Sequence, residues 1–148
     1  MTFTRSFDFE LIGEIMRHPA LYQADDYGPA REHFQPRQDP EIRYVLVEDA
    51  GDVLGLFILA PQNTICWEIH TRLLPLSWGK RAAEAARGLI AWLWAETFVV
   101  RLVTSVPAPN RLAIRFAERA GLKRFGTNLA SYQKDGTLYD QVLLGISR

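Results

Sequence analysis

The feature that most constrains the fold is a strand–turn–helix segment at residues 67–96, WEIHTRLLPLSWGKRAAEAARGLIAWLWAE. An extended run leads through a turn with Pro75 and Gly79 into a helix predicted from residue 80 to residue 96. A helix that starts directly after a glycine turn leaves its first N–H groups unpaired, and its dipole adds positive charge there. Lys80 and Arg81 stand at this corner, where cations are unfavourable unless an anion offsets them. The pattern therefore predicts a phosphate site.

The remaining periodicities predict an α+β (α/β mixed-sheet) domain with helices on its faces. A short edge strand and a helix ended by His18-Pro19 come first, and three strands at 44–48, 53–59 and 64–74 form an antiparallel meander. After the central helix, a strand at 99–106 implies a parallel crossover. A helix at 111–120, capped by Asn110 and Gly121, precedes a hairpin of strands at 122–133 and 139–146. We expect one domain over residues 1–148.

The stretch at residues 23–40 is polar and rich in proline, with only weak periodicity. Long segments with little regular structure are often functional. We expect this segment to form a loop over a binding site.

Composition excludes several classes of protein. Lys+Arg and Asp+Glu number 17 each, so bulk charge gives no reason to expect nucleic acid or acidic lipid as a partner. A single cysteine, Cys66, excludes an internal disulfide and fits a reducing compartment. No segment has the features of a signal peptide or a membrane span. The histidines show no metal-ligand spacing. We expect a soluble cytoplasmic protein with no metal and no membrane partner.

Three ordered motifs match known patterns. Residues 68–86 are similar to EIGxxLxPxxWGKGxAxEA, residues 110–122 to NxxSIRxxEKxGF, and residues 132–142 to YxxDGxxxDxV. In this order and spacing they resemble the GNAT N-acetyltransferase superfamily, closest to its Rim-type branch of ribosomal-protein N-terminal acetyltransferases. The match covers roughly residues 64–146, and the first 40 residues carry none.

The resemblance implies a GNAT fold, with a sheet of six or seven strands that splays apart between the fourth and fifth strands. It implies acetyl-CoA as donor, a primary amine as acceptor, and direct transfer in a ternary complex. The CoA arm would pair with the fourth strand near Leu73 and Leu74 and face Asn110. Backbone N–H groups of the phosphate turn would hold the pyrophosphate; these map to Trp78, Gly79, Lys80, Arg81, Ala82 and Ala83.

Two departures from the family pattern bear on activity. Arg81 replaces the second glycine of the phosphate turn, and its guanidinium is expected to swing outward, where it could pair with a phosphate. Ala117 stands where many members have a tyrosine that protonates the departing thiolate. These departures motivate an alternative function, a catalytically silent CoA-binding or protein-binding module on the same fold.

The fourth strand carries the candidate catalytic groups. Alternation places Cys66, Glu68, His70 and Arg72 on one face, and a polar face in mid-sheet is expected to open on a cleft. Glu68 is predicted to be the general base, directly or through water, with His70 as the alternative. The competing interpretation is that Glu68 pairs with Arg72 or another neighbour on a solvated face. Cys66 as a nucleophile is the least favoured route.

Three further questions stay open at the sequence level. Ser105, with Thr104, ends the fifth strand and is a candidate proton donor to the thiolate; Tyr132 and Tyr139 are alternatives. Each of these also has a purely structural explanation. The acceptor is a protein N-terminus by analogy with the Rim-type branch, or a small amine. A pocket narrowed by residues 23–40 would favour the small amine, and an open groove would favour a peptide.

Overall fold

A computed structural model describes all 148 residues and contains one seven-stranded mixed sheet in the order β1-β2-β3-β4-β5-β7-β6. Its single parallel pair is β4–β5, as the predicted crossover requires. The mixed sheet flanked by helices confirms the predicted fold class. The elements are β1 (Thr2–Ser6), α1 (Phe9–Met16), β2 (Arg43–Asp49), β3 (Asp52–Pro61), β4 (Cys66–Leu73), α2 (Lys80–Glu96), β5 (Arg101–Pro107), α3 (Arg111–Arg119), β6 (Lys123–Lys134) and β7 (Thr137–Ser147).

Helices α2 and α3 cover one face of the sheet, and α1 covers part of the other. The larger core forms between the sheet and α2 and α3, where Phe57, Leu59 and Leu89 are fully buried. The smaller core lies under α1, around Ile12 and Leu56. Because partners in register share a face, Leu56 and Ile58 put their β4 partners Arg72 and His70 on the α1 face.

The ends of α3 match the sequence prediction. The Asn110 side chain accepts a hydrogen bond from the Ala113 N–H at 3.2 Å, as an N-cap does. Gly121 adopts a positive φ of 104°, and its N–H and that of Leu122 satisfy the last carbonyls of the helix. These local signals fix where the chain turns from the helix into β6.

Strands β4 and β5 pair only at their N-terminal ends. Cys66, Trp67 and Glu68 lie opposite Arg101, Leu102 and Val103, and no further β4–β5 partners follow. Strand β5 continues along β7 as far as Pro107, while β4 continues along β3 as far as Leu73. The two strands therefore diverge, and β4 has an unpaired edge beyond Glu68. This is the splay that the family resemblance implies.

A glycine in the middle of α2 lies against a side chain of the sheet. A Cβ atom at Gly88 would lie 2.7 Å from Cζ of Phe3, a partly buried side chain of β1 that packs on the larger core. The helix therefore forgoes the better helix propensity of alanine in order to admit the Phe3 ring.

We expect Gly88→Ala to destabilise the parent protein by roughly 1 kcal/mol, because overpacking outweighs the gain in helix propensity. In a Phe3→Ala background the same change is expected to stabilise by up to about 1 kcal/mol. Urea unfolding of the four proteins in this double-mutant cycle measures both values. Equal effects of Gly88→Ala in the two backgrounds would contradict the proposed contact.

Candidate active site

The first turn of α2 presents unpaired backbone donors. Gly79 takes a φ of 87° that favours glycine, and it caps the helix without any side-chain hydrogen bond. The N–H groups of Lys80, Arg81 and Ala82 have no acceptor within the chain, whereas the Ala83 N–H donates to the Gly79 carbonyl at 3.4 Å. Three convergent N–H groups and the positive end of a 17-residue helix can hold an anion.

The unpaired edge of β4 ends beside this turn. The Leu74 N–H donates to the carbonyl of Leu54 in β3 at 2.8 Å. In an antiparallel pair, the backbone groups of successive residues point alternately toward and away from the neighbouring strand. The backbone groups of Thr71 and Leu73 therefore face away from β3, toward the splay. The Leu73 carbonyl accepts a hydrogen bond from Nε1 of Trp78 at 2.8 Å. The N–H groups of Thr71 and Leu73 are thus the donors available along this edge, and Leu74 is engaged on the other side.

The Arg81 side chain is engaged with the β2–β3 turn. Its Nε and Nη2 donate to Oδ2 of Asp49 at 3.2 and 3.1 Å, its Nη2 also donates to the Asp49 carbonyl, and Asp52 lies 3.6 Å away. The hydrogen bond from Arg81, together with the N-terminal ammonium 3.3 Å away, lowers the pKa of Asp49. The side chain swings outward as predicted, but toward carboxylates. At the start of α2, the group of Arg81 that is free to bind an anion is its backbone N–H.

Glu68 and His70 form a pair on the α1 face of β4. Nε2 of His70 lies 3.1 Å from Oε1 of Glu68, and both side chains are partly exposed, at 40% and 30%. The hydrogen bond from His70 lowers the pKa of Glu68 despite its burial, and Gln62 adds to the effect. Glu68 is therefore ionised at neutral pH. Its partner is His70 rather than Arg72, and the pair remains accessible to a substrate.

Hydroxyl groups from three other strands share this face. Because Val103 is the partner of Glu68, Ser105 two residues later lies on the same face of β5, beside the splay. Ser105 pairs with Leu143, and alternation along β7 brings Tyr139 and its β6 partner Tyr132 to the same side. Thr104 lies on the opposite face. Burial and nearby aspartates raise the pKa of Tyr132.

Residues 23–40 cross over this face and are tied to the β6–β7 hairpin. Oδ1 of Asp26 accepts from the Asp135 N–H at 2.7 Å, and its Oδ2 accepts from the Gly136 N–H at 2.9 Å. The Tyr27 hydroxyl donates to Oε1 of Gln133 at 2.6 Å. Beneath the segment is a cavity of about 160 Å³ lined by Met16, Tyr22, Gln23, Asp25, Gly28, Pro29, Phe34 and Arg72. The loop that was expected over the site is therefore held in place by its hydrogen bonds to the β6–β7 hairpin.

The structure shows local contacts for Asn110, Ala117 and Cys66. Oδ1 of Asn110 is occupied by the helix cap, and Ala117 is buried in the larger core. The Cys66 thiol lies 3.6 Å from Oε1 of Gln62, at the end of β4 away from the α2 corner. A larger recess of about 540 Å³ opens beside Trp67 and Phe98, at that same end. It has no row of free N–H groups, so the site is assigned to the splay.

The structure contains no cluster of three or more His, Cys, Asp or Glu side chains that could hold a metal ion. None of its helices combines the length and hydropathy needed to cross a bilayer.

A family model described as "Acetyltransferase (GNAT) domain" matches residues 4–123, most of the chain. The chain belongs to the GNAT acetyltransferase family. It is accordingly an acetyl-CoA-dependent N-acetyltransferase, which confirms the predicted enzyme class and donor. No curated protein matches its sequence significantly.

Solved structures share the fold of this GNAT domain. Spermidine N-acetyltransferase from Vibrio cholerae in complex with CoA and spermine has 18% identity and a TM-score of 0.74, covering 99% of this chain and 94% of that one. GNAT-family acetyltransferases from Bacillus anthracis and Streptococcus pneumoniae, both 17% identical with TM-scores of 0.62, cover 72% and 75% of this chain and 66% and 70% of their own. At these identities the likeness establishes the fold alone.

Two elements of the site were not found from the sequence. In the sequence, Arg72 is one of four residues on the polar face of β4 and a possible ion-pair partner of Glu68, and a cation at mid-strand in a polar face is the signal that indicates a pocket. The anchoring role of Asp26 depends on a hairpin more than one hundred residues away, and nothing local in the sequence indicates it.

We expect Arg81→Ala to raise the pKa of Asp49 toward its ordinary value near 3.8. Because this pKa is depressed in the folded state, the ion pair stabilises the fold above the unfolded-state pKa, and that contribution is lost as the pH falls through the folded-state pKa. An NMR titration of the Asp49 carboxyl group measures the shift. Arg87→Ala, on the exposed side of the same helix, is the matched control. An unchanged Asp49 titration in Arg81→Ala would contradict the contact.

Proposed function

We propose that residues 1–148 form one catalytic domain that transfers an acetyl group from acetyl-CoA directly to a small primary amine within a ternary complex. The observation that carries this proposal is the unpaired edge of β4, which runs from the Glu68–His70 pair to the free N–H groups at the start of α2. Donor and acceptor can meet at this edge without a covalent enzyme intermediate.

The donor would be held mainly by the backbone. The N–H groups of Lys80, Arg81 and Ala82, with Gly79 admitting close approach, would bind the pyrophosphate. No atom lies within 4 Å of a Cβ built on Gly79, so the corner is open. The N–H groups of Thr71 and Leu73 would pair with the amides of the pantetheine arm. Trp78, a residue that is 56% exposed and whose ring is fixed by its hydrogen bond to the Leu73 carbonyl, would flank the arm.

The chemistry assigns one role to each strand that borders the splay. The amine nitrogen attacks the thioester carbonyl carbon, and Glu68 accepts the ammonium proton, directly or through water, while His70 orients Glu68 by their 3.1 Å contact. The new C–N bond forms and the C–S bond breaks. Ser105, on the same face across the splay, would donate a hydrogen bond that stabilises the departing thiolate, which takes its proton from water. Tyr132, whose raised pKa keeps it protonated, is the second candidate donor.

The small cavity on the α1 face favours a small amine over a protein N-terminus. Asp26 ties residues 23–40 to the β6–β7 hairpin, and beneath this segment lies a half-open cavity of about 160 Å³, a volume that suits a small amine better than a peptide. The motifs that resemble the Rim-type branch lie largely on the donor side and give little information on the acceptor. The spermidine N-acetyltransferase with this fold, described in complex with CoA and spermine, also supports a small amine.

We expect Glu68→Gln to lower kcat by about 10²- to 10⁴-fold, since it removes the base, with little change in acetyl-CoA affinity. CoA release with a panel of small primary amines and a peptide with a free N-terminus measures the loss and the acceptor class. Glu118→Gln, at a surface ion pair with Arg124, is the matched control. Parent-like turnover of Glu68→Gln at every pH, with His70→Ala inactive, would transfer the role of base to His70.

We expect Lys80→Pro to weaken acetyl-CoA binding by about tenfold or more, because it deletes one N–H donor to the phosphate. Proline is well tolerated at the first helical position, so the fold should persist. Lys80→Ala removes the same side chain, keeps the N–H, and is the control. Calorimetric titration with acetyl-CoA measures both affinities. Equal affinities for the two variants would exclude a phosphate contact at this N–H.

A further inference from the structure

The acceptor side of the site contains an arginine with no carboxylate partner. Arg72 lies on the α1 face of β4, two residues after His70, and lines the cavity beneath residues 23–40. Its only side-chain hydrogen bond runs from Nη1 to the Thr71 carbonyl at 2.9 Å. Burial lowers the pKa of Arg72, and no acidic neighbour offsets that effect. Trp67 Nε1 is the one enclosed side-chain polar atom without a partner, so the remaining guanidinium donors of Arg72 are accessible and could bind an anion in the cavity.

The acidic groups around the cavity are already engaged elsewhere. Oδ1 of Asp25 accepts from the N–H groups of Tyr27 and Gly28 at 2.9 and 2.6 Å. Both oxygens of Asp26 accept from the β6–β7 turn. Glu68 pairs with His70. The protein therefore supplies no carboxylate to Arg72.

The other walls of the cavity are apolar on the side of α1 and polar at Gln23 and Asp25. Met16 and Phe34 belong to the smaller core under α1 or pack against it, and the Tyr22 ring meets the Phe34 ring edge-on at 5.5 Å. Such walls suit a short hydrocarbon chain, and the guanidinium suits a carboxylate, which it can bind with two parallel hydrogen bonds.

We propose that the acceptor is a small primary amine that also carries a carboxylate, and that Arg72 binds this carboxylate while the amine lies at the Glu68–His70 pair. This inference rests on the proposed function. Residues two apart on a strand are about 6.6 Å apart, so a chain of a few carbons can join the two groups. A polyamine would instead bring a second ammonium group against the guanidinium, which like-charge repulsion disfavours.

Three acceptors that share a four-carbon chain and a primary amine test the charge preference: γ-aminobutyrate, butylamine and putrescine. The parent is expected to show the highest kcat/KM with γ-aminobutyrate and the lowest with putrescine. In Arg72→Gln the ratio of kcat/KM for γ-aminobutyrate to that for butylamine is expected to fall by about tenfold or more, mainly through KM. Arg72→Lys, which keeps the charge but not the paired hydrogen bonds, is expected to recover part of the ratio.

Arg43→Gln is the matched control, because Arg43 is a strand arginine on the opposite face, where its guanidinium stacks on the Trp67 ring at 4.3 Å. It should leave the ratio at the parent value. A parent that prefers putrescine or butylamine, or an Arg72→Gln protein that loses all three activities in equal proportion, would overturn the assignment.

A binding measurement separates this inference from the proposed function. Saturation-transfer NMR of γ-aminobutyrate with the CoA-loaded protein reports binding in the absence of turnover. Binding in the parent that is lost in Arg72→Gln supports the carboxylate site even if no amine releases CoA, an outcome that would refute only the proposed function. No binding to the parent in a protein that acetylates butylamine would refute the carboxylate site alone.

Discussion

The site depends on one break in the sheet, the divergence of β4 from β5 after Glu68 and Val103. Buried peptide groups are almost always paired, so a strand edge in the middle of a sheet is unfavourable unless something else binds it. Here each flanking strand is fully supported on its other side, β4 by β3 and β5 by β7. The pairing of β4 with β3 and of β5 with β7 therefore holds the two strands apart. A linear molecule that contains amide groups can form hydrogen bonds with the unpaired edge of β4.

The two faces of the sheet serve different purposes. The face under α2 and α3 is closed by a continuous apolar core, which holds the start of α2 rigidly beside the end of β4. The α1 face has a smaller core, and its polar groups, Glu68 and His70 among them, remain accessible. Because side chains alternate between the two faces of a strand, one set of β4 side chains packs into the larger core and the other set lies at the candidate active site.

Local sequence signals predicted most of the fold. The glycine before α2, the Asn110 cap and the Asp-Gly turn of the last hairpin each act over a few residues, and the corresponding elements lie where they were predicted. The partners of Arg81 and Asp26 could not be predicted in this way. Each bond joins positions 32 or more apart, and only the folded arrangement decides which carboxylate or amide is nearest. Side-chain pairing across a site is therefore the part that one sequence leaves undetermined.

The link between Asp26 and the β6–β7 turn means that the donor side and the acceptor side of the site are under different evolutionary constraints. In the proposed function, the donor is bound by main-chain atoms at the start of α2, and those atoms persist through most substitutions. The opposite opening is set by a few side chains on a loop and at the tip of the β6–β7 hairpin, and neither supplies a residue to the two clusters of buried hydrophobic residues. Selection can change the residues around that opening without altering the backbone at the start of α2. A lineage with this arrangement can change its acceptors quickly while its cosubstrate stays the same.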